Sequence, residues 1–154
     1  MMIILMTQVG MTACDDIDNP VDNPTDNEVY DFSKAIGITW RLYGFGTVGE
    51  DEVEKAKPEK GDEGWFDGLY TIIFKDDGTL RGQDYLNEFL GVYSIDGNTL
   101  VFDEMRTTLV GDFFPDEERY YDALCSPYTH PFRIKDGQLQ LYYNDGKDYL
   151  LFIQ

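Results

Sequence analysis

Turns that contain glycine and aspartate divide this chain into short segments, and they constrain its fold more than any other feature. Asp76–Gly78, Asp96–Asn98, Asp136–Gly137 and Asn144–Gly146 each separate two runs in which apolar and polar residues alternate. Alternation with a period of two is the pattern of a β-strand with one buried face. Glycine supplies positive φ at such turns without a steric clash. The series therefore predicts consecutive antiparallel hairpins.

The predicted strands share this alternation. They are Thr39–Phe45, Leu69–Phe74, Thr79–Gly82, Gly91–Ile95, Thr99–Phe102, Phe132–Ile134, Leu139–Tyr143 and Tyr149–Ile153. In the first of them Trp40 and Leu42 alternate with polar neighbours, and Gly44 comes next on the same face.

Glu50–Gly64 has no apolar face, and we interpret it as a solvated loop or a frayed helix, with an acidic partner-binding patch as the alternative.

One segment departs from the strand pattern. Pro115–Leu124 begins with a proline, which suits the first turn of a helix, and its three acids suit the positive end of the helix dipole. Tyr120, Tyr121 and Leu124 form a face for packing on the sheet, and Pro127 ends the helix. We therefore predict a mainly β (α+β) fold. It is an antiparallel, strongly curved or barrel-like sheet of about eight strands, with one helix before the last three strands.

The charge of the chain argues against two classes of partner. Its 30 acidic and 12 basic residues give a net charge of −18, so it cannot neutralise a run of phosphates. The same excess of acids opposes docking on an anionic membrane face. We therefore expect no nucleic-acid partner. Hydrophobic residues make up 42% of the chain, which is enough for a substantial core.

Residues 1–14 are typical of a bacterial lipoprotein signal peptide. They are apolar and uncharged, and Thr12–Cys14 matches the end of a lipobox, although no basic residue precedes the apolar stretch. Cys14 is the candidate lipidation site, because its thiol would take diacylglycerol and hold the protein on the membrane. The alternative is a buried N-terminal strand in which the cysteine is incidental.

Residues 15–34 are predicted to be an acidic, disordered tether before a folded domain at 35–154. Asp18–Pro20 and Asp22–Pro24 repeat the sequence Asp-Asn-Pro, and proline and asparagine oppose regular secondary structure. The spacing lacks the central glycine of an EF-hand, so a calcium loop is not indicated. Acidic residues directly after a lipidated cysteine resemble the surface-export signals of Bacteroidetes-type lipoproteins. We expect anchoring in the outer membrane, with the domain periplasmic or surface-exposed.

The order of motifs in the folded part resembles that of the META/HslJ-like domain. That family opens with a Trp-x-Leu strand, continues with Phe-x-x-Asp-Gly and Gly-x-x-x-x-Asn-x-x-x-Gly-x-Tyr segments, and later has a helix that ends in leucine. The matching residues here are Trp40, Leu42, Phe74, Gly78, Gly82, Asn87, Gly91, Tyr93 and Leu124. The resemblance implies an envelope or secreted protein without established chemistry, linked to stress tolerance and antibiotic resistance, in which these residues are structural.

This chain also differs from the family pattern. Many members have a pair of cysteines where this chain has Leu86 and Gly111, so the resemblance implies that a disulfide is missing here. A lipocalin-like domain is the rival resemblance, because small lipoproteins of that kind share the Trp-x-Leu and Phe-x-x-Asp-Gly motifs. The Asn-x-x-x-Gly segment and the position of the helix favour the META family.

Few residues are candidates for chemistry. Cys125 is alone if Cys14 is acylated, and His130 is the only histidine. A reactive pair of these two or a zinc site has no supporting motif, and the acids show no pair that indicates glycosidase chemistry. Asn87 is expected to bond to the backbone of its own turn, and Gly91 to allow close packing. We predict no catalytic residue, metal or cofactor.

Two functional hypotheses follow. The first is a non-enzymatic, lipid-anchored envelope protein that binds a protein or small ligand through exposed aromatic residues, such as Tyr121, Phe114 or one of Tyr142 and Tyr143. The second is a lipocalin-like carrier of an apolar molecule. A filled interior would favour the first, whereas a roomy apolar cavity would favour the second.

Overall fold

In the computed structural model of this protein, nine β-strands among the described residues form one antiparallel sheet that closes on itself. The structure describes residues 31–57, 70–108, 110, 115–126 and 128–154. The elements are β1 Thr39–Thr47, β2 Val53–Lys55, β3 Thr71–Phe74, β4 Thr79–Gln83, β5 Glu88–Asp96, β6 Thr99–Thr107, α1 Pro115–Cys125, β7 Thr129–Lys135, β8 Gln138–Tyr143 and β9 Asp148–Ile153. The prediction of a mainly β fold with a helix before the last three strands is confirmed. Within these ranges, no helix is long and apolar enough to cross a membrane.

Eight of the strands form the ring, and β2 is an addition to it. Strands β3 to β9 pair consecutively, and β1 pairs with both β3 and β9, which closes the sheet. β2 pairs with β1 beside Gly44. A Cβ atom at Gly44 would lie 2.0 Å from the carbonyl oxygen of Glu54, so the close approach of β2 requires glycine at this position.

The strand β2 corrects the interpretation of Glu50–Gly64 as a solvated loop or frayed helix. Val53–Lys55 has no alternating apolar face, but backbone hydrogen bonding to a neighbouring strand does not require one. The neighbour is available because β1 continues to Thr47, two residues beyond its predicted end. Residues 58–64 lie outside the described part of the chain.

A bulge in β1 changes which face its residues occupy. The register against β9 shifts between Leu42 and Gly44. As a result Phe45 pairs with Leu150, and both are buried in the core. Gly44 pairs with Leu151 on the opposite face, although simple alternation placed it on the same face as Leu42.

The predicted hairpin turns are present. Gly78, Gly97, Gly137 and Gly146 all have positive φ, and each lies between two paired strands. The turn chemistry in the sequence therefore located the hairpins correctly, and the strands differ from their predicted bounds mainly in length.

Aromatic side chains fill the interior of the ring. Phe74 is central, with its ring 5.0 Å from that of Phe32, 5.2 Å from that of Tyr93 and 6.2 Å from that of Phe102. The Phe132 ring lies 4.8 Å from the ring of Phe32 on the other side. We call these five residues the aromatic centre. Edge-to-face packing at such distances adds to the stabilisation from burial.

Phe32 lies within the predicted tether at 15–34, yet it belongs to this core. Phe32–Ala35 forms one turn of 3₁₀ helix, which Asp31 caps by accepting a hydrogen bond from the N–H of Ser33. Trp40 fixes the same turn, because its indole N–H donates to the carbonyl of Ala35 at 3.0 Å. The packed part of the chain thus includes residues before the predicted boundary at 35.

The helix α1 packs on the ring through the face that its spacing predicts. Tyr120 and Leu124 are buried, and Tyr121 is half-buried. The Tyr120 ring lies 6.0 Å from that of Phe89 in β5 and 6.2 Å from that of Phe152 in β9. The helix therefore rests on side chains from several strands at once.

Candidate functional site

An open groove runs between α1 and the turn that joins β8 to β9. Its volume is about 680 Å³. The lining residues are Glu118, Arg119, Asp122, Ala123, Ser126, Tyr143 and Asp148. Three of the side chains are carboxylates and one is a guanidinium, so the groove has an excess of negative charge beside a single fixed cation. This recess is the candidate binding surface of the described chain.

Arg119 is held in position at the wall of the groove. Its guanidinium donates a hydrogen bond to Oε2 of Glu54 at 2.7 Å and lies 3.9 Å from the centre of the Phe45 ring. A charge-assisted hydrogen bond and a cation–π contact both restrict a long side chain. Arg119 thereby joins α1 to both β2 and β1.

A buried group of polar side chains lies beneath the N-terminal turn of α1. We call Asp84, Asn87 and Glu117 the polar cluster; their exposed fractions are 3%, 3% and 0%. Asp84 and Asn87 begin and end the four-residue turn between β4 and β5, and Glu117 is in the first turn of the helix. The Nδ2 group of Asn87 donates to Oε1 of Glu117 at 2.9 Å. The cluster therefore connects a hairpin turn to the helix.

Asp84 organises the turn and also faces Glu117. Its Oδ1 atom accepts hydrogen bonds from the backbone N–H of Asn87 at 2.5 Å and of Leu86 at 3.2 Å. Its Oδ2 atom is buried without a hydrogen-bond partner among the described residues. Burial, together with the nearby Glu117 carboxyl, raises the pKa of Asp84 to about 7, although the two backbone donors oppose the shift. Two carboxyls are thus buried together, and one of them can retain a proton.

Asn87 has a different role from the predicted one. It does not use its side chain to bond its own turn, because Asp84 does so instead. The Oδ1 atom of Asn87 accepts hydrogen bonds from the backbone N–H of Val110 at 2.7 Å and from the hydroxyl of Thr108 at 3.1 Å. Its amide group therefore bridges α1 and the chain that follows β6.

His130 is buried between two backbone carbonyls. Its Nε2 atom lies 2.9 Å from the Leu124 oxygen in the last turn of α1, and its Nδ1 atom lies 3.0 Å from the Tyr142 oxygen in β8. Burial lowers the pKa of His130, and the two carbonyl acceptors partly offset this. Each ring nitrogen lies beside a backbone carbonyl, and the nitrogen that carries the proton donates to its carbonyl, so this histidine holds the end of the helix to the sheet.

Cys125 is a free thiol at the end of α1. It is half-buried, and burial raises the pKa of the thiol, while a hydrogen bond with Tyr121 acts in the opposite direction. A raised pKa disfavours the thiolate that a nucleophilic cysteine needs. No cluster of three or more histidine, cysteine or acidic side chains suited to a metal ion occurs in the described ranges.

The residues that carry the family resemblance lie in the core or at close backbone contacts. Trp40, Leu42, Phe74 and Leu124 are buried. The Phe89 ring lies directly against Gly82. A Cβ atom at this position would lie 2.2 Å from the ring and equally close to the carbonyl oxygen of Thr71, so glycine is required.

The remaining motif residues lie at turns or against neighbouring strands. Gly78 adopts positive φ in the β3–β4 turn, and Gly91 makes room for the sulfur of Met105. The hydroxyl of Tyr93 donates to the carbonyl of Lys75 at 2.6 Å. Each of these residues thus has a packing or turn role in the structure.

Several predicted positions cannot be placed. Cys14, Gly111, Phe114 and Pro127 lie outside the described residues. Of the other candidate aromatic residues, Tyr143 lines the groove, and Tyr142 lies half-exposed with its ring 5.8 Å from that of Tyr149. Leu86, at a position where many members of the META/HslJ-like family have cysteine, is 41% exposed.

Sequence reasoning missed the polar cluster. It assigned Glu117 to the favourable end of the helix dipole, together with two neighbouring acids, and it did not single out Asp84. One signal was available: Asp84 stands three residues before Asn87 in a short segment between two strands, which is a spacing typical of a side-chain-capped turn.

Comparison with known proteins identifies the fold. No family model and no curated protein matches this chain. A DUF4847 family protein from Bacteroides vulgatus superposes with a TM-score of 0.59 at 18% identity, over 79% of this chain and 95% of that chain. A protein from Burkholderia xenovorans gives 0.55 at 18% identity, over 98% and 97% of the two chains. A further solution structure gives 0.58 at 14% identity, over 80% of this chain and 93% of that one. At these identities the similarity shows a shared fold alone.

Proposed function

We propose that this protein is a non-enzymatic, lipid-anchored envelope protein that binds a protein or small ligand. Cys14 carries the lipid, and the residues between it and the packed turn that begins at Phe32 form the tether. The folded part is a META/HslJ-like domain that is either periplasmic or exposed at the outer surface, with a role in envelope stress tolerance. The support for the anchor is the lipobox-like Thr12–Cys14 and the acidic segment that follows it.

The binding proposal rests on the position of the free volume in the structure. Aromatic side chains occupy the centre of the closed sheet, whereas an open groove of about 680 Å³ lies outside it along α1. A carrier of the lipocalin type needs a chamber within its strands. The filled centre therefore favours a surface binder over the lipocalin-like alternative, and the groove is the surface that we assign to the ligand.

The lipid anchor can be tested with the two cysteines of the chain. Cells that express the chain with its leader are grown with an alkyne-bearing fatty acid, and the labelled protein is detected after purification. We expect label in the wild type and in Cys125→Ser, the matched control, but none in Cys14→Ser. Equal labelling of Cys14→Ser, or no labelling of the wild type, would rule out this anchor. Protease treatment of intact cells then distinguishes the two locations, since a periplasmic domain stays protected.

The groove can be tested by complementation. A strain that lacks this protein is grown under envelope stress and is supplied with the wild type, with the double variant Asp122→Lys/Tyr143→Ala, or with Lys135→Ala as a control on the β7–β8 hairpin. All three proteins must reach the same level in the membrane. We expect the groove variant to lose at least half of the rescue that the control retains. Equal rescue by both variants would show that the groove is not the binding surface.

A further inference from the structure

The N-terminal turn of α1 is attached to the ring through groups that are themselves ionisable. Glu117 is fully buried, and its Oε1 atom accepts the hydrogen bond from Asn87. Asp84 faces it from the β4–β5 turn, with one oxygen bonded to backbone N–H groups and the other without a hydrogen-bond partner among the described residues. Two buried carboxylates would repel each other strongly, because little solvent screens them. A single proton between them removes this repulsion.

We propose that a proton held on the carboxyl of Asp84 and donated toward Glu117 latches the first turn of α1 onto the β4–β5 turn, and that loss of this proton as the pH rises past neutral loosens the helix. The oxygen of Asp84 that lacks a partner is the position from which a protonated carboxyl donates toward Glu117. When the proton leaves for solvent, two like charges remain on side chains that are almost fully buried.

Among the described residues, the titratable groups around the pair do not compensate for that charge. From α1 the titratable groups are Asp116, Tyr120 and Tyr121, and from the ring they are Tyr70 and Tyr85. These are an acid and four phenols, and the main influences on Asp84 include no cation.

The sign of the pH effect follows from the direction of the shift. The pKa of Asp84 rises from 3.8 to about 7 on folding, so the folded state binds the proton more tightly than the unfolded state does. Its contribution to stability is therefore complete below the unfolded value, falls as the pH rises, and is lost above about 7.

The latch also acts on the groove, and this part rests on the proposed function. Glu118 and Arg119, which line the groove, directly follow Glu117 in the chain. Loosening the first turn of α1 shifts both of these side chains, so the groove is best formed at mildly acidic pH. The backbone N–H of Lys57 provides a second attachment, because it donates to Oδ2 of Asp116 at 2.7 Å.

The test is thermal unfolding of the full chain from about pH 5 to about pH 9. We expect the melting temperature of the wild type to fall across this range and that of Asp84→Asn to fall much less, because an asparagine amide donates to Glu117 at every pH. Asp122→Asn removes an exposed acid from the same helix and should keep the slope of the wild type. A slope that is the same in Asp84→Asn and Asp122→Asn would overturn the proposal.

A second measurement needs no variant, so it holds even if Asp84→Asn fails to fold. The infrared carbonyl band of a protonated carboxyl should lose the intensity of one group with a midpoint near pH 7, well above the midpoint of the ordinary carboxyls at about pH 4. A band that titrates only near pH 4 would overturn the proposal. Neither readout depends on lipidation or on the groove ligand, so failure of the latch and failure of the proposed function are distinguishable.

Discussion

The interior of this protein contains two regions that are held by different forces. The aromatic centre consists of apolar rings in contact, so its stability comes from burial and from edge-to-face packing. The polar cluster consists of two acids and an amide, which are tolerated only because most of their polar atoms have partners. Packing of the apolar rings does not depend on pH. The attachment of α1 through the polar cluster, in contrast, depends on protonation.

The largest effect should come from the aromatic centre. Phe74→Ala removes a ring that contacts those of Phe32, Tyr93 and Phe102, and it leaves a cavity that these neighbours cannot fill. We expect a loss of roughly 3–5 kcal/mol in the free energy of unfolding, measured by urea denaturation. Leu90→Ala is the control, because Leu90 is 59% exposed, and it should change stability by less than about 0.5 kcal/mol. A loss at Phe74 no larger than that at Leu90 would mean that the interior is not packed.

A smaller effect should come from the polar cluster. Asn87→Ala removes the amide that donates to Oε1 of Glu117 and that accepts from the N–H of Val110. We expect a loss of roughly 1–3 kcal/mol in the same urea experiment, because buried polar groups lose their hydrogen bonds. If Asn87→Ala left the free energy of unfolding unchanged, water would have to reach the cluster. The contrast between the two regions would then disappear.

The smallest effect on stability should come from His130. Its side chain is polar and buried, and its two ring nitrogens lie beside backbone carbonyls. Burial lowers its pKa below the ordinary 6.5, so the stability that depends on neutral His130 is present above that value and is lost as the pH falls through the lowered pKa. Since His130 is the only histidine, its imidazole carbon signals can be followed in an NMR titration without ambiguity. We expect a midpoint below 6.5. A midpoint above it would show that the two carbonyls outweigh burial.

The same contrast explains how much could be predicted from the sequence. Strands, hairpin turns and the helix follow from local patterns, and Trp40, Phe74 and Leu124 lie in the core as their spacing indicates. The bulge in β1 and the strand β2 do not follow from such patterns, because both depend on which strand lies alongside. Their formation is a property of the closed sheet rather than of the segment.

The candidate site was less predictable than the fold. Glu117 lies among acids that solvate a helix start, and only the approach of the β4–β5 turn makes it a buried residue. Arg119 likewise gains its role from Phe45 and Glu54, which are distant in the chain. Sequence periodicity reports which residues share a face, but it does not report which polar residues from separate elements meet.

Aromatic side chains fill the interior of the closed sheet, so a ligand must bind outside it. The most direct measurement is a titration of the native protein with a fluorescent fatty acid, followed by competition with an unlabelled one. We expect no saturable binding, because the rings of Phe32, Phe74 and Phe132 occupy the space that an alkyl chain would need. Saturable one-to-one binding that the competitor displaces, and that Asp122→Lys/Tyr143→Ala in the groove leaves unchanged, would contradict a filled interior.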